Sequence, residues 1–236
     1  MRLRSSLGAL VLIVAACASN GSPSPVASPA PATPPPTASA ASPTPSPSAS
    51  RPPASGSAQQ LPTSGPLAAG SYTDASFSPS VTFEVADGWS VGSIADGFFD
   101  VQQLQGTPDV IAVQFGRVDG IVGAGKTVLQ PKNATEAART IDDNPGLLVI
   151  DESESQMSGL TGSNVVVENR SQAHAQVLRV PAGTLGIDSG RRLWISLFDT
   201  EDGVLAIMVG GSVAKWDAAL RAAEPVLESV AIGEGR

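Results

Sequence analysis

The stretch RLWISLFDTEDGVLAIMV, Arg192 to Val209, contains two short apolar runs joined by DTEDG, Asp199 to Gly203. Each run has the length and the β-branched and aromatic content of a strand, and the acidic, glycine-ended connection predicts a β-hairpin. Successive side chains of a strand point to opposite faces, so Leu193, Ile195 and Leu197 share one face while Trp194 and Phe198 take the other. Both faces are therefore apolar. Such strands belong at the centre of a sheet that is covered on two sides.

Outward from this pair, VTFEVADGWSV, Val81 to Val91, alternates apolar and polar residues around Ala86-Asp87-Gly88 and reads as a half-buried hairpin. Further strands are predicted over Phe98 to Leu104, Val110 to Val118, Leu147 to Ile150, Asn164 to Glu168 and Gln176 to Val180. Two helices can supply the cover. Asn133 with Glu136 forms a capping pattern for a short helix that places Ala134, Ala137, Ala138 and Ile141 on one face and ends before Asn144-Pro145-Gly146. A second helix, Val213 to Ser229, carries Trp216, Leu220, Ala223 and Leu227 as its apolar stripe. Pro225 is expected to kink that helix or to start a new turn, because it lacks the amide hydrogen of the helical ladder. The fold class is α+β, an antiparallel sheet flanked by helices.

The globular part is set at residues 70–236, the length of one domain. It holds all 22 acidic residues of the chain and, since Arg2, Arg4 and Arg51 lie outside it, 11 of the 14 basic ones, so its formal charge is 11 minus 22, or −11. That balance argues against a nucleic acid or an anionic lipid surface as partner. From Ala18 to Ala69 the chain is mainly Pro, Ser, Ala and Thr, with Arg51 as its only charge. So few large apolar residues cannot offset the entropy of ordering, and residues 17–69 are expected to form a disordered linker of polyproline II character. At ~3.1 Å per residue it could reach on the order of 150 Å.

Arg2 and Arg4 precede an uncharged apolar run, Leu7 to Ala16. Such a run of about ten residues is short of the ~20 that a spanning helix needs, so residues 1–16 read as a secretory signal peptide. Val14-Ala15-Ala16-Cys17 resembles the lipobox of bacterial lipoproteins, in which cleavage before the cysteine leaves it lipidated as the new first residue. Cys17 is the only cysteine of the chain, so no internal disulfide forms and no second thiol is at hand for metal or redox work. The resemblance implies a diacylglyceryl group, with palmitate-type chains and usually a third chain on the amine. Two or more chains hold a protein stably at a membrane. The expected place is the extracytoplasmic face of a bacterial cell membrane.

GIVGAGKT, Gly120 to Thr127, fits the phosphate-loop pattern GxxxxGK[ST], and LLVIDE, Leu147 to Glu152, looks like the magnesium strand of the same fold. A phosphate loop works by leading into a long helix whose first amides face the phosphates. Here Pro131 follows Thr127 by four residues and denies that helix, so the nucleotide hydrolase reading is rejected and no nucleotide partner is expected. Gly120, Gly123 and Gly125 are read as a flexible loop, and Asp151 to Glu154 as an exposed strand end. His174, the one histidine, lies in a polar stretch without the partners of a metal site or the elbow motif of a serine hydrolase. Asp199, Glu201 and Asp202 lack the alternating spacing of a calcium loop and are read as a charged turn. Asn133-Ala134-Thr135 and Asn169-Arg170-Ser171 match a glycosylation pattern that means little in a bacterial lipoprotein. No catalytic, cofactor-binding or metal-ligating set is assigned; Cys17 is the one assigned site, for lipidation.

GSYTDASFSPSVTFEVADGW, DDNPGLLVIDESESQMSGLTGSNVVVEN and WDAALRAAEPVLESVAI resemble segments of uncharacterised lipoproteins from actinobacteria and chloroflexi. The shared positions are Phe77, Pro79, Val81, Phe83, Val85, Gly88 and Trp89, then Gly159, Leu160 and Gly162, then Leu227, Ser229 and Val230. The order of elements is also similar to the PsbP-like fold of photosystem accessory proteins and of the mycobacterial lipoprotein LpqN. That resemblance implies a sheet with helices on both faces and a non-catalytic binding or assembly module for an unknown protein or small-molecule ligand. Two other readings stand beside it: a carrier of a lipid or small apolar ligand, and a hydrolase built around His174.

Overall fold

The structure, a computed structural model of the chain, describes residues 57–74 and 77–233, all within one compact unit, Arg51–Arg236. Its first half contains β1 (Gln59–Gln60), β2 (Gly65–Pro66), β3 (Gly70–Asp74), β4 (Val81–Val85), β5 (Ser90–Ala95), β6 (Phe98–Gln103), β7 (Ile111–Val118), β8 (Gly120–Val122), β9 (Val128–Leu129) and α1 (Ala134–Asp142). The second half contains β10 (Leu147–Met157), β11 (Leu160–Asn169), β12 (Ala175–Val180), β13 (Gly183–Ile187), β14 (Arg191–Thr200), β15 (Gly203–Ser212), α2 (Trp216–Glu228) and β16 (Ala231–Ile232). Among the described residues no helix is long and apolar enough to cross a membrane.

An eight-stranded antiparallel sheet in the order β10-β11-β14-β15-β7-β6-β5-β2 runs through the middle, with the β14–β15 hairpin inside it. Its turn is tighter than DTEDG suggests, because Thr200 already pairs with Gly203. One face is covered by α2 and by the sheet β1-β3-β4-β16, and here Phe83, Phe99 and Phe115 stack around the buried side chains of Phe198, Leu205 and Ile207. The other is covered by α1 and the sheet β13-β12-β8-β9, which bury Leu193, Ile195, Leu197 and Met208. The two-sided cover that the apolar faces of Arg192 to Val209 demand is present, and the α+β class holds.

Several expectations are corrected. VTFEVADGWSV is not a hairpin: β4 pairs with β3 and β16, while β5 pairs with β6 and β2, so this stretch passes from one sheet to another. The apolar alternation is real, since Val81, Phe83, Val85, Trp89 and Val91 are all buried, but it reports the buried face and not the pairing partner. The folded part does not begin at Gly70. Gln59 and Gln60 pair in parallel with β3, and Leu61 and Leu67 are buried in the core. Asp151 to Glu154 lie within β10, an 11-residue edge strand. The carboxylates of such a strand deter pairing with another chain. On α2 the buried residues are Trp216, Ala219, Ala223 and Val226, with Leu220 and Leu227 only half-buried at the margin. The helix also continues through Pro225. Pro225 and Arg221 are both exposed, so the carbonyl that loses its helical partner lies on the wet side of the helix.

Candidate functional site

Cys17, the signal peptide and most of the linker lie outside the described residues. GIVGAGKT is a short hairpin, not a loop: β8 and β9 pair, and a single 3₁₀ turn over Ala124–Lys126 joins them. Thr127 is extended and Val128 continues into β9, so no helix follows Lys126 to present amides to a phosphate.

This hairpin and His174, separate in the sequence, line one cleft of about 380 Å³ together with Asn144 and Ser171. Asn144 is buried and braces the cleft, its amide donating to the carbonyls of Val122 and Gln176 while its Oδ1 accepts from the Gly146 amide. His174 Nδ1 is 2.8 Å from Asp188 Oδ1. Its ring lies over β13, where a Cβ added at Gly186 would come within 2.4 Å of Nε2. The Ser171 hydroxyl donates to Asn169 Oδ1 or to the Ala173 carbonyl. A serine hydrolase needs its hydroxyl on the histidine nitrogen that the acid leaves free. Here that nitrogen rests on a glycine and the hydroxyl is turned to other acceptors.

The acidic run is dispersed in the same way. Asp199 Oδ1 accepts from the Ala134 amide at the start of α1, at 2.7 Å, and Asp202 accepts from Ser78 Oγ at 2.6 Å. Among the described residues no group of three or more His, Cys, Asp or Glu side chains is placed to hold a metal ion.

A different surface has the shape of a ligand site, and the sequence reading did not single it out. On the α2 side of the sheet, Trp194 stands between Val166 and Val209 on the neighbouring strands, yet it is only half-buried, unlike the burial expected from its strand. The next residue on that face, Ser196, is fully buried; its hydroxyl is 2.6 Å from Ser155 Oγ and also bonds Asn164 Oδ1. Beside this polar cluster a groove of about 470 Å³ opens between the end of α2 and the β10–β11 hairpin. Met157, Trp194 and Leu227 form its apolar wall, and the exposed Glu228 at the end of α2 lies beside it. The hairpin tip is tied to the chain after α2, for Ser158 Oγ donates to the Val230 carbonyl and accepts from the Ile232 amide. The groove thus has a fixed frame and an open mouth. The only sequence signal for it is a tryptophan on the less densely apolar face of β14.

No protein-family model matches the chain, and no curated protein sequence matches it. Solved structures similar to it include the cyanobacterial PsbP protein of Synechocystis, at 15% identity over 75% of this chain and 98% of that one, with a TM-score of 0.42. Another is LpqN of Mycobacterium tuberculosis, described as involved in cell envelope biogenesis, at 11% identity over 72% of this chain and 90% of that one, with a TM-score of 0.36. At these identities and TM-scores the likeness assigns this chain no activity, ligand or partner.

Proposed function

We propose that the protein is a membrane-tethered extracytoplasmic lipoprotein whose folded domain is a non-catalytic binding or accessory module, held off the membrane by its Pro/Ser/Ala-rich spacer. The observation that carries this reading is Cys17, the only cysteine of the chain, which follows Val14-Ala15-Ala16 at the end of an uncharged run behind Arg2 and Arg4. A thiol in that position suits acylation, and two or more acyl chains give the stable hold that one chain does not. The non-catalytic part draws support from the surroundings of His174, where Nδ1 pairs with Asp188 and the nearby Ser171 hydroxyl bonds Asn169 and Ala173 and not the ring. Fractionation of cells producing Cys17→Ala is the test. The variant is expected in the soluble fraction or as an unprocessed precursor; a mature-length, salt-resistant membrane form would overturn the anchor.

A second reading, the carrier of a small apolar ligand, is favoured by the groove at Trp194. Its volume lies in the range of ligand sites, and its wall is apolar and partly open.

A further inference from the structure

We infer that a second hollow, on the α1 side of the central sheet beside β13, takes a small uncharged amide, and that the side chain of Gln114 recognises it. The site is separate from the groove over Trp194, and the inference does not depend on the anchor at Cys17.

Space supplies the first argument. Ala112, Gln114 and Gly210 line a hollow of about 250 Å³ between the central sheet and β13, with Ile187 and Leu193 as its apolar wall. A glycine inside a strand weakens it and often marks a close approach by another backbone or by a ligand. The neighbouring glycines meet such an approach from the chain itself: a Cβ at Gly116 would lie 3.1 Å from Val180, and one at Gly211 would lie 2.7 Å from Ala219. Gly210 is not left-handed, and a Cβ there would meet only the end of the Leu193 side chain, at 3.7 Å, so neither conformation nor packing requires its glycine. The open polar groups supply the second. Gln114 stands between Asp100 and Met208 on the neighbouring strands, half-buried, and its side-chain amide makes no hydrogen bond among the described residues. Diagonal to it, Gln102 donates from Nε2 to Asp100, and its Oε1 makes no hydrogen bond among the described residues. An open carboxamide presents a donor and an acceptor side by side, and another amide answers both at once. Charge supplies the third. Asp188 is engaged by His174, Arg191 by the carbonyls of Val110 and Pro108, and Arg192 by Glu168. Asp100, 2% exposed, accepts from the Ser93 amide and hydroxyl as well as from Gln102. An ionic ligand would therefore lose its water without gaining a counter-charge.

The full chain carrying Cys17→Ser, which excludes acylation, is titrated with cyclohexanecarboxamide, cyclohexyl methyl ketone and cyclohexanecarboxylate, and binding is read by saturation-transfer NMR. The three compounds share one body and nearly one shape; the ketone keeps only the acceptor, and the carboxylate adds a charge. The amide is expected to bind saturably and about tenfold tighter than either of the others, the size of effect that one unanswered polar group in a partly buried site produces. Gly210→Val, which fills the hollow, should abolish amide binding with an unchanged or raised melting midpoint. Gln114→Leu, at a half-buried position, should remove the preference for the amide over the ketone. Should Gly210→Val lower the midpoint, Gln114→Leu carries the test alone. Ketone or carboxylate binding as tightly as the amide, or a preference untouched by Gln114→Leu, overturns the recognition of an amide by Gln114. Amide binding that survives in a stably folded Gly210→Val lies elsewhere and overturns the hollow as its site. No saturable transfer to any of the three means that water alone fills the hollow, and overturns the inference outright.

Discussion

At Gly162 a hydrogen atom is all the space allows. The residue pairs with Ser155 on one side and Phe198 on the other, and a Cβ there would lie 2.0 Å from the Leu197 carbonyl oxygen and 2.8 Å from the Phe198 ring. A backbone atom cannot step aside as the end of a long side chain can, so Gly162→Ala is expected to lower stability by about 1–3 kcal/mol, the usual cost of overpacking. A denaturant melt checks it, and an unchanged midpoint would mean that β11 and β14 stand further apart than described. Gly159, three residues earlier, answers a different need: with Ser158 at φ 51° and Gly159 at φ 80°, the two residues between Met157 and Leu160 both adopt the left-handed conformation of a tight hairpin turn. The two tryptophans of the α2 side also divide at this scale. Trp216 is buried, packed under Arg192, and Trp216→Ala should cost roughly 3–5 kcal/mol; Trp194→Ala, at a half-open site, should cost clearly less. Equal shifts in the two melts would show that Trp194 is as well covered as Trp216. Alternation along Arg192 to Phe198 tells which face each residue takes but cannot tell whether the covering layer reaches it, so Phe198 was legible as core and the exposure of Trp194 was not.

Among the elements, α1 shows how much of a helix is written locally and how much is not. Asn133 caps it as its sequence predicts, its side chain accepting from the Glu136 amide at 2.8 Å, and Glu136 reaches back to the Lys132 amide. A second cap comes from Asp199, 65 residues away, whose carboxylate accepts from the Ala134 amide. An anion at the first turn also meets the positive end of the helix dipole. Asp199→Ala is therefore expected to destabilise the domain by about 1 kcal/mol, and Asp199→Asn, which keeps an acceptor but not the charge, by less. Thermal melts of the two variants decide it; no difference from the parent for Asp199→Ala would mean that Asn133 alone suffices. Tertiary caps of this kind leave no local signal, and the same limit hid the sheet switch between β4 and β5. In Val81 to Val91 both strands present apolar side chains toward one core, which a hairpin and a crossover satisfy equally.

For the whole molecule, the question is where the domain begins. Composition places the end of the spacer at Ala69, because the stretch before it is poor in large apolar residues. Yet Leu61 and Leu67, the two leucines nearest the domain, are each 4% exposed, and their amides donate to the carbonyls of Thr73 and Trp89 at 2.8 Å. Two anchors spaced six residues apart suffice to lay this segment along the sheets, and a window averaged over Pro, Ser and Ala dilutes them below notice. In a linker, replacing either leucine would be silent. In a core each replacement leaves a cavity that its surroundings fill only in part, so Leu61→Ala and Leu67→Ala are each expected to cost about 2–5 kcal/mol. That is a large share of the ~5–15 kcal/mol by which a domain of this kind holds together. Denaturant midpoints measured on the full chain settle the boundary. Parent-like midpoints for both variants would return it to Gly70, whereas a fall for both would mean that the β1 and β2 segment belongs to the fold and that the Pro/Ser/Ala-rich stretch before it is shorter than composition implies.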